Sequence, residues 1–366
     1  MKIICAKTEL MKGINIVLKA VPSKTTMKIL ECILIEAAAG QIRMTANDME
    51  LGIETGVQGV VEQPGTVALN AKLFSEIIRK LPEGEILLET DERETTTIRC
   101  EKSKFVIPGF DGEDFTPLPV IDRDDALVLS QFHLKELIRQ TLFSVSTNDT
   151  NVVMTGELFE VKENVLRVVS LDGHRISMRR LYLAESYPAK SVIVPGKTLS
   201  ELGKILSGET SDMVSIYFSE NHLMFEFDDT VVISRLIEGS YFRVDQMINR
   251  NFETKISVNK REILESIDRS LLMIKEDDKK PLLFEIEDES MKLQISSQIG
   301  NMEEIVAVEK EGKDIRIGFN PRLLMDALRV IDDEKVDIYY VNSKSPCIIR
   351  DEEETYLYLI LPVNFI

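Results

Sequence analysis

The stretch SLDGHRIS, Ser170 to Ser177, places an aspartate, a histidine, an arginine and two serines within eight positions. Those residue types could supply a general base, a cation and a nucleophile side by side. The spacing argues against it. Adjacent residues of a strand point to opposite faces, so closeness in sequence does not bring nucleophile, base and orienting acid to one reacting atom. Asp172-Gly173 lies between two alternating runs, NVLRVVSL and HRISMRRLYL. There an Asp-Gly pair signals a hairpin, because both central positions of the turn accept positive φ. The expectation is a turn, with an enzyme working through Asp172, His174 and Arg175 as a rival.

Other reactive-looking residues fare no better. PGKT, residues 195–198, resembles the end of a phosphate-binding loop, but that loop needs a glycine where Ser191 stands. With one glycine the backbone cannot wrap a phosphate, so nucleotide binding is rejected. His133, His174 and His222 are far apart, and Cys5, Cys32, Cys100 and Cys347 form no C-x-x-C pair. Neither a metal site nor a disulfide frame is expected, and the cysteines read as reduced core thiols of a cytoplasmic protein. No cofactor is called for. Asn148-Asp149-Thr150 spells a glycosylation acceptor, which means nothing in that compartment. The N-terminus shows no signal-peptide run, and no stretch of ~18 apolar residues could span a bilayer, so no membrane partner is expected.

The elements that position these residues repeat. At 366 residues the chain exceeds what one core usually holds. TVALNAKLFSEIIRKLPEGEILLE, SVIVPGKTLSELGKILSGETSDMVSIYF and DIRIGFNPRLLMDALRVIDDEKVDIYY share one plan of strand, turn, amphipathic helix and strand. Their anchors Leu69, Val194 and Phe319 are 125 residues apart (69 to 194, 194 to 319). A second trio, beginning KIICAKTELMKG, LVLSQFHLKELI and KISVNKREILES, places another helix in each copy. Period-two runs such as QIRMTANDMELGIET fill the intervals, as antiparallel sheet with one buried face requires. The predicted class is α+β: three tandem similar domains, 1–122, 123–248 and 249–366, each with two helices on antiparallel sheets.

Charge is distributed unevenly. The chain carries 44 Lys and Arg against 62 Asp and Glu, a net −18, which taken whole opposes binding to a polyanion. Yet the six predicted helices hold 14 basic and 8 acidic residues, so they carry +6 and the remainder −24. The cations are Lys12, Lys19, Lys72, Arg79, Lys80, Lys135, Arg139, Lys197, Lys204, Lys260, Arg261, Arg269, Arg322 and Arg329. Solvated polar faces would explain them, and so would one basic lining that meets phosphate. No aromatic residues interleave to stack bases, and no helix offers an Arg, Asn and Gln set for reading base edges. Sequence-independent phosphate contact is the chemistry left.

Triple repeat, basic helices and acidic remainder together resemble the bacterial DNA polymerase III beta subunit, the sliding clamp. The local matches are DGHR at 172–175, DFTPLP at 114–119 after SKFVIPGF, LNAKLF at 69–74, IVPGKTLSEL at 193–202 and the terminal LILPVNFI. The resemblance spans the chain from Met1 to Ile366. It implies a head-to-tail homodimer closed into a ring, with helices lining a hole that encircles double-stranded DNA of any sequence. It also implies partners: the DNA polymerase III catalytic subunit, an ATPase clamp loader, and other polymerases and repair proteins bearing short clamp-binding motifs. A cytoplasmic, nucleoid-associated protein without enzymatic activity follows.

Carried over position by position, the resemblance implies a partner-peptide pocket of Met154, Leu171, Gly173, His174, Arg175, Ile176, Phe242, Met247, Asn320, Leu323, Pro346, Leu359, Leu361, Pro362 and Val363. Tyr356, Tyr358 and Ile360 of the same terminal strand read as core. GSYFRVDQMI departs from the family pattern at Phe242, Arg243 and Gln246, and Leu171 replaces a common threonine, so the rim is altered and the floor more apolar. The DNA-facing set implied is Lys12, Lys19, Lys72, Arg79, Lys80, Lys135, Arg139, Lys197, Lys204, Lys260, Arg269 and Arg322, with Lys24 from a loop. Phe105 and Ile107 of one chain would meet Met273 and Ile274 of the next, and the following KEDDKK could add charge pairing. A peptide-binding scaffold that never touches DNA is the second rival.

Overall fold

Each copy opens with a strand that feeds an amphipathic helix, and the computed structural model describes residues 1–148, 150–275 and 280–364. The first repeat runs β1 (Lys2–Ala6), α1 (Lys7–Val17), β2 (Cys32–Ala38), β3 (Gln41–Asn47), β4 (Leu51–Val57), β5 (Val60–Gln63), β6 (Gly65–Asn70), α2 (Ala71–Lys80), β7 (Glu85–Thr90), β8 (Thr95–Cys100) and β9 (Ser103–Pro108). The second runs β10 (Leu127–Ser130), α3 (Gln131–Thr141), β11 (Gly156–Leu171), β12 (Arg175–Pro195), α4 (Gly196–Ile205), β13 (Met213–Phe218), β14 (His222–Phe227) and β15 (Thr230–Arg235). The third runs β16 (Thr254–Asn259), α5 (Lys260–Ser270), β17 (Leu282–Glu287), β18 (Ser290–Ser296), β19 (Asn301–Gly312), β20 (Ile315–Phe319), α6 (Pro321–Val330), β21 (Lys335–Tyr340), β22 (Cys347–Arg350) and β23 (Tyr356–Ile360). α2, α4 and α6 begin at residues 71, 196 and 321, which preserves the 125-residue period (196 minus 71, 321 minus 196).

The helix starts follow from local chemistry. Asn70, Asn259 and Asn320 each accept a backbone N–H of the first turn, from Leu73, Glu262 and Arg322 at 3.0, 3.1 and 3.0 Å. These caps satisfy donors that the helix itself cannot. Pro321 follows at the first helical position, where its missing N–H is no loss. At the PGKT site, Pro195 ends β12 and Gly196 opens α4. A Cβ on Gly196 would stand 2.9 Å from the Thr155 carbonyl oxygen, so this glycine serves backbone approach, not phosphate.

All sheets are antiparallel, in the orders β5-β1-β7-β8-β9, β10-β13-β14-β15-β4-β3-β2-β6 and β11-β12-β23-β22-β21-β16-β19-β18-β17-β20. The chain forms two compact units. One comprises residues 1–132 and 204–236; its eight-stranded sheet joins β15 to β4, with Thr230 opposite Thr55. The other comprises residues 133–203 and 237–366; its ten-stranded sheet joins β12 to β23, with Ile176 opposite Leu359. α1 packs on β3, β4 and α2, while α5 packs on β16, β19 and α6. In the third-repeat core the aromatic side chains Phe284, Phe319 and Tyr358 are 1% exposed. Tyr356 and Ile360 are buried with them, as core residues should be.

Candidate functional site

The SLDGHRIS segment is a hairpin turn, with a corrected centre. Leu171 pairs with Ile176, the Asp172 N–H faces the Arg175 oxygen at 3.4 Å, and of the four turn residues only Gly173 has a positive φ, 88°. The central pair is Gly173-His174, not Asp172-Gly173, with the left-handed residue first as in a II′ turn. Asp172 takes the first turn position because its Oδ1 accepts the backbone N–H groups of His174 and Arg175, at 2.9 and 3.2 Å.

The remaining reactive types are committed to structure. Arg175 donates from Nε to Asp172 Oδ2 (2.9 Å), from Nη1 to Asp326 Oδ2 (2.7 Å) and from Nη2 to the Phe143 carbonyl (2.6 Å). Its guanidinium also lies 5.2 Å from the Phe143 ring centroid. It clamps the turn to α6 and to the 3-10 turn after α3. Ser170 is buried and donates to the Thr141 carbonyl at 2.6 Å, and buried Ser177 shares a hydrogen bond with Ser144 at 2.5 Å. His174 is exposed, while Ser170 and Ser177 are buried in these other hydrogen bonds. Among the described residues no cluster of His, Cys, Asp and Glu could hold a metal ion, and the four cysteines are free and buried. Burial pushes the Cys5 thiol up to about 12 and the Cys32 thiol up to about 11, away from reactivity. Among the described residues no helix is long and apolar enough to cross a membrane.

Around this turn the fold gathers an apolar surface. Leu171, Ile176 and Leu359 are buried in one cluster, and partly buried Met154 and Phe242 pack on it. Met247, Leu361 and His174 are exposed, the first two at 49% and 40%. A Cβ on Gly173 would touch Met154 Cε at 4.0 Å. The chain end is tied in place: Leu361 N–H donates to the His174 carbonyl (2.9 Å) and Val363 N–H to the Gly318 carbonyl (2.8 Å). Pro362, between them, has no N–H to leave unpaired. Cys347 pairs with Ile360, so Pro346 and Leu361 flank the same end of that pair. Asn320 and Leu323 lie outside this cluster: the first caps α6 and the second packs on the third-repeat core. Phe365 and Ile366 lie outside the described residues.

Val244 and Ile248 escaped the sequence reading, although both are buried beneath the same surface. Their signal is the apolar spacing Tyr241, Val244, Ile248.

The helix cations divide into two groups. Lys12, Lys72, Arg79 and Lys80 of α1 and α2 are exposed, Lys19 is half-buried, and among the described residues none engages a carboxylate. Lys24 is exposed in the loop that follows. By contrast Arg139 pairs with Glu136 (2.5 Å) and Asp332 (3.2 Å), Arg261 with Glu265 (2.8 Å), Arg269 with Glu304 (2.6 Å) and Arg329 with Asp268 (3.7 Å). Lys260 donates to the Ile331 carbonyl at 2.6 Å. Lys197, Lys204 and Arg322 are exposed, and Lys135 is half-buried.

The expected interface residues are unequal. β9 is an edge strand on which Phe105 and Val106 are 41% and 55% exposed, while Ile107 is buried. Met273 and Ile274 pack partly on the third-repeat core, and the exposed apolar residues there are Leu272 and Ile305, at 72% and 70%. Of the charged stretch that follows, residues 276–279 lie outside the described residues.

Comparison with known proteins covers the whole architecture. Residues 1–119, 128–242 and 245–364 match the N-terminal, central and C-terminal domains of the DNA polymerase III beta subunit. The chain is 35% identical over 362 residues to the beta sliding clamps of Staphylococcus epidermidis and Staphylococcus aureus, covering 96% of both partners. A chain described as a DNA polymerase III beta subunit from Eubacterium rectale is 56% identical with a TM-score of 0.97. The DNA polymerase sliding clamp of Bacillus subtilis is 32% identical with the same TM-score; both alignments cover 100% of each chain.

Proposed function

This chain belongs to the DNA polymerase III beta subunit family, and from that membership we propose how its parts serve a DNA sliding clamp. It acts as a processivity factor and not as an enzyme. Two chains, each divided near 122/123 and 248/249, associate head to tail into a ring that encircles duplex DNA. Topology retains the DNA, so contact with phosphate can stay weak and unspecific, which permits sliding. The lining comprises the helix cations with Lys24, and the exposed members of the first repeat carry most of it. Phe105 with Val106 on one chain meets the Leu272 to Ile274 segment and Ile305 of the next. The −24 carried outside the helices then belongs to surfaces that DNA does not meet.

The apolar surface at Met154, Leu171, Ile176, Phe242, Met247, Leu359 and the 361–363 segment receives a short peptide from the polymerase, the clamp loader or repair proteins. Its floor is buried and apolar, and its exposed rim, His174, Met247 and Leu361, is available to a partner. Gly173, Arg175, Asn320, Leu323, Pro346, Pro362 and Val363 complete the shape. The protein works at the nucleoid.

One observation carries this reading: three repeats match three family domains in order across nearly the full chain. The test is topological. After loading onto a nicked circular plasmid the protein should co-elute with the DNA in gel filtration and be lost when the plasmid is linearised. Equal retention on both forms would refute encirclement, and no retention on either would favour the scaffold reading.

A further inference from the structure

We propose that Arg167 and Asp245 form a strap that sets the rim of the partner-peptide pocket, an inference that rests on the pocket reading above. Arg167, Val169 and Leu171 are two residues apart on β11 and therefore share a face. Val169 and Leu171 lie in the buried floor, so Arg167 is the next position outward along it. Asp245 sits in the 3-10 turn Val244–Gln246, between the two rim residues Phe242 and Met247. Arg167 Nη1 donates to both Asp245 oxygens, at 2.8 and 3.0 Å, while its Nε lies 2.9 Å from Glu160 Oε2.

The strap has a specific task because little else holds this stretch. Tyr241 is anchored upstream, its hydroxyl within 3.3 and 3.2 Å of the Gly156 and Val169 carbonyls. Downstream, Arg250 grips Glu354 at 2.8 and 3.0 Å. From Phe242 to Ile248 the hold is the burial of Val244 and Ile248, and the Arg167–Asp245 pair is the polar side-chain tie to β11 among the described residues. Glu160 belongs to β11 itself, and its approach to Arg167 Nε makes no hydrogen bond, so it ties nothing to the rim. A peptide entering a rim already fixed avoids the cost of ordering it. Arg167 is thus a positioning residue for recognition: it contacts the rim, not the peptide.

The experiment measures fluorescence anisotropy of a fluorescein-labelled pentapeptide ending in Leu-Phe, whose two apolar side chains suit the floor, with melting temperature recorded in parallel. Arg167→Ala and Asp245→Asn should each weaken binding about three- to five-fold, because the pair is partly exposed and worth about 1 kcal/mol or less. The double variant should be no weaker than either single one, since both remove one interaction. Arg167→Lys should restore part of the affinity, Glu160→Gln should leave it unchanged, and the effect should fade in 0.5 M salt. Unchanged affinity in Arg167→Ala, or additive losses in the double variant, would overturn the strap. Leu361→Arg separates the two claims: if wild-type protein fails to bind the peptide, or binds it as well as this variant does, the pocket reading itself has failed.

Discussion

The helices of the first repeat and those of the second compact unit descend from one plan, yet they dispose of charge in opposite ways. α1 and α2 hold Lys12, Lys72, Arg79 and Lys80 in solvent, in no ion pair among the described residues. In the unit containing α5 and α6, Arg139, Arg175, Arg261, Arg269 and Arg329 are matched by acids of the same chain. Similar counts of basic residues therefore yield unequal free positive charge. The difference teaches that a helix's cations must be weighed against the strands and loops beside it, since Glu304 comes from β19 and Asp332 from the chain after α6.

The contrast reaches the core, where its largest test lies. Register places Ile33 opposite Leu69, Glu157 opposite Val194 and Leu282 opposite Phe319, so these three residues occupy one position of the repeat. Ile33 and Leu282 are fully buried hydrocarbons; Glu157 is a fully buried acid whose two oxygens meet no donor. The neighbouring Thr141 hydroxyl already donates to the Leu137 carbonyl at 2.7 Å. Burial pushes the Glu157 carboxyl up to about 8. A carboxyl raised in the folded state is protonated there while the unfolded chain ionises, so its stability contribution falls as pH rises from the ordinary 4.5 through about 8. Between pH 6 and 9 the wild type should lose on the order of 3 kcal/mol from this group. Glu157→Leu, which copies the other two repeats, should remove that loss and raise denaturant stability most at pH 9. A pH profile of unfolding parallel to the wild type's would show that the acid is solvated after all.

Charge reversal comes next in size. Replacing Lys12, Lys72 and Arg79 by Glu should weaken binding of a fluorescent duplex at low salt by about ten-fold or more and flatten the salt dependence. Reversing Arg261, Arg269 and Arg329 together should weaken it less, because those cations already face Glu265, Glu304 and Asp268. Equal losses from the two triples would break the comparison, and no loss from the first would reduce the lining to a solvated surface.

Much of this was legible in sequence because periodicity is a local signal. The anchors Leu69, Val194 and Phe319 locate the three helices that begin at 71, 196 and 321. Leu171, Ile176, Leu359, Met154 and Phe242, which the resemblance implies lie together, pack in one cluster in the structure. What stayed hidden was long-range pairing. Arg175 reads as a reactive cation until Asp326, 151 residues away, is seen to hold it. Glu157 reads as an ordinary surface glutamate in MTGELFE until the register sets it among hydrocarbons. The turn centre was misplaced by one residue because Asp-Gly suits either position, and only the pairing of Leu171 with Ile176 decides between them.

The smallest effect is also the most discriminating, because it adds function instead of removing it. Glu304 accepts from Arg269 Nε and Nη2, both at 2.6 Å, and from Ser266 Oγ at 2.6 Å. If that carboxylate is what withholds Arg269 from phosphate, Glu304→Gln should tighten duplex binding, about two-fold, by freeing one cation. The same variant reports on acid stability. The Arg269 hydrogen bonds hold the Glu304 carboxyl below its ordinary 4.5, so its contribution is present above that pH and lost as pH falls through the lowered value. Glu304→Gln should therefore melt slightly lower than wild type at pH 7 and show the gap closing below about pH 4. Tighter DNA binding together with that convergence would tie both observations to one ion pair. A variant that melts lower at every pH while binding DNA as before would mean that Arg269 has no access to phosphate, and the third-repeat helices would then contribute shape alone.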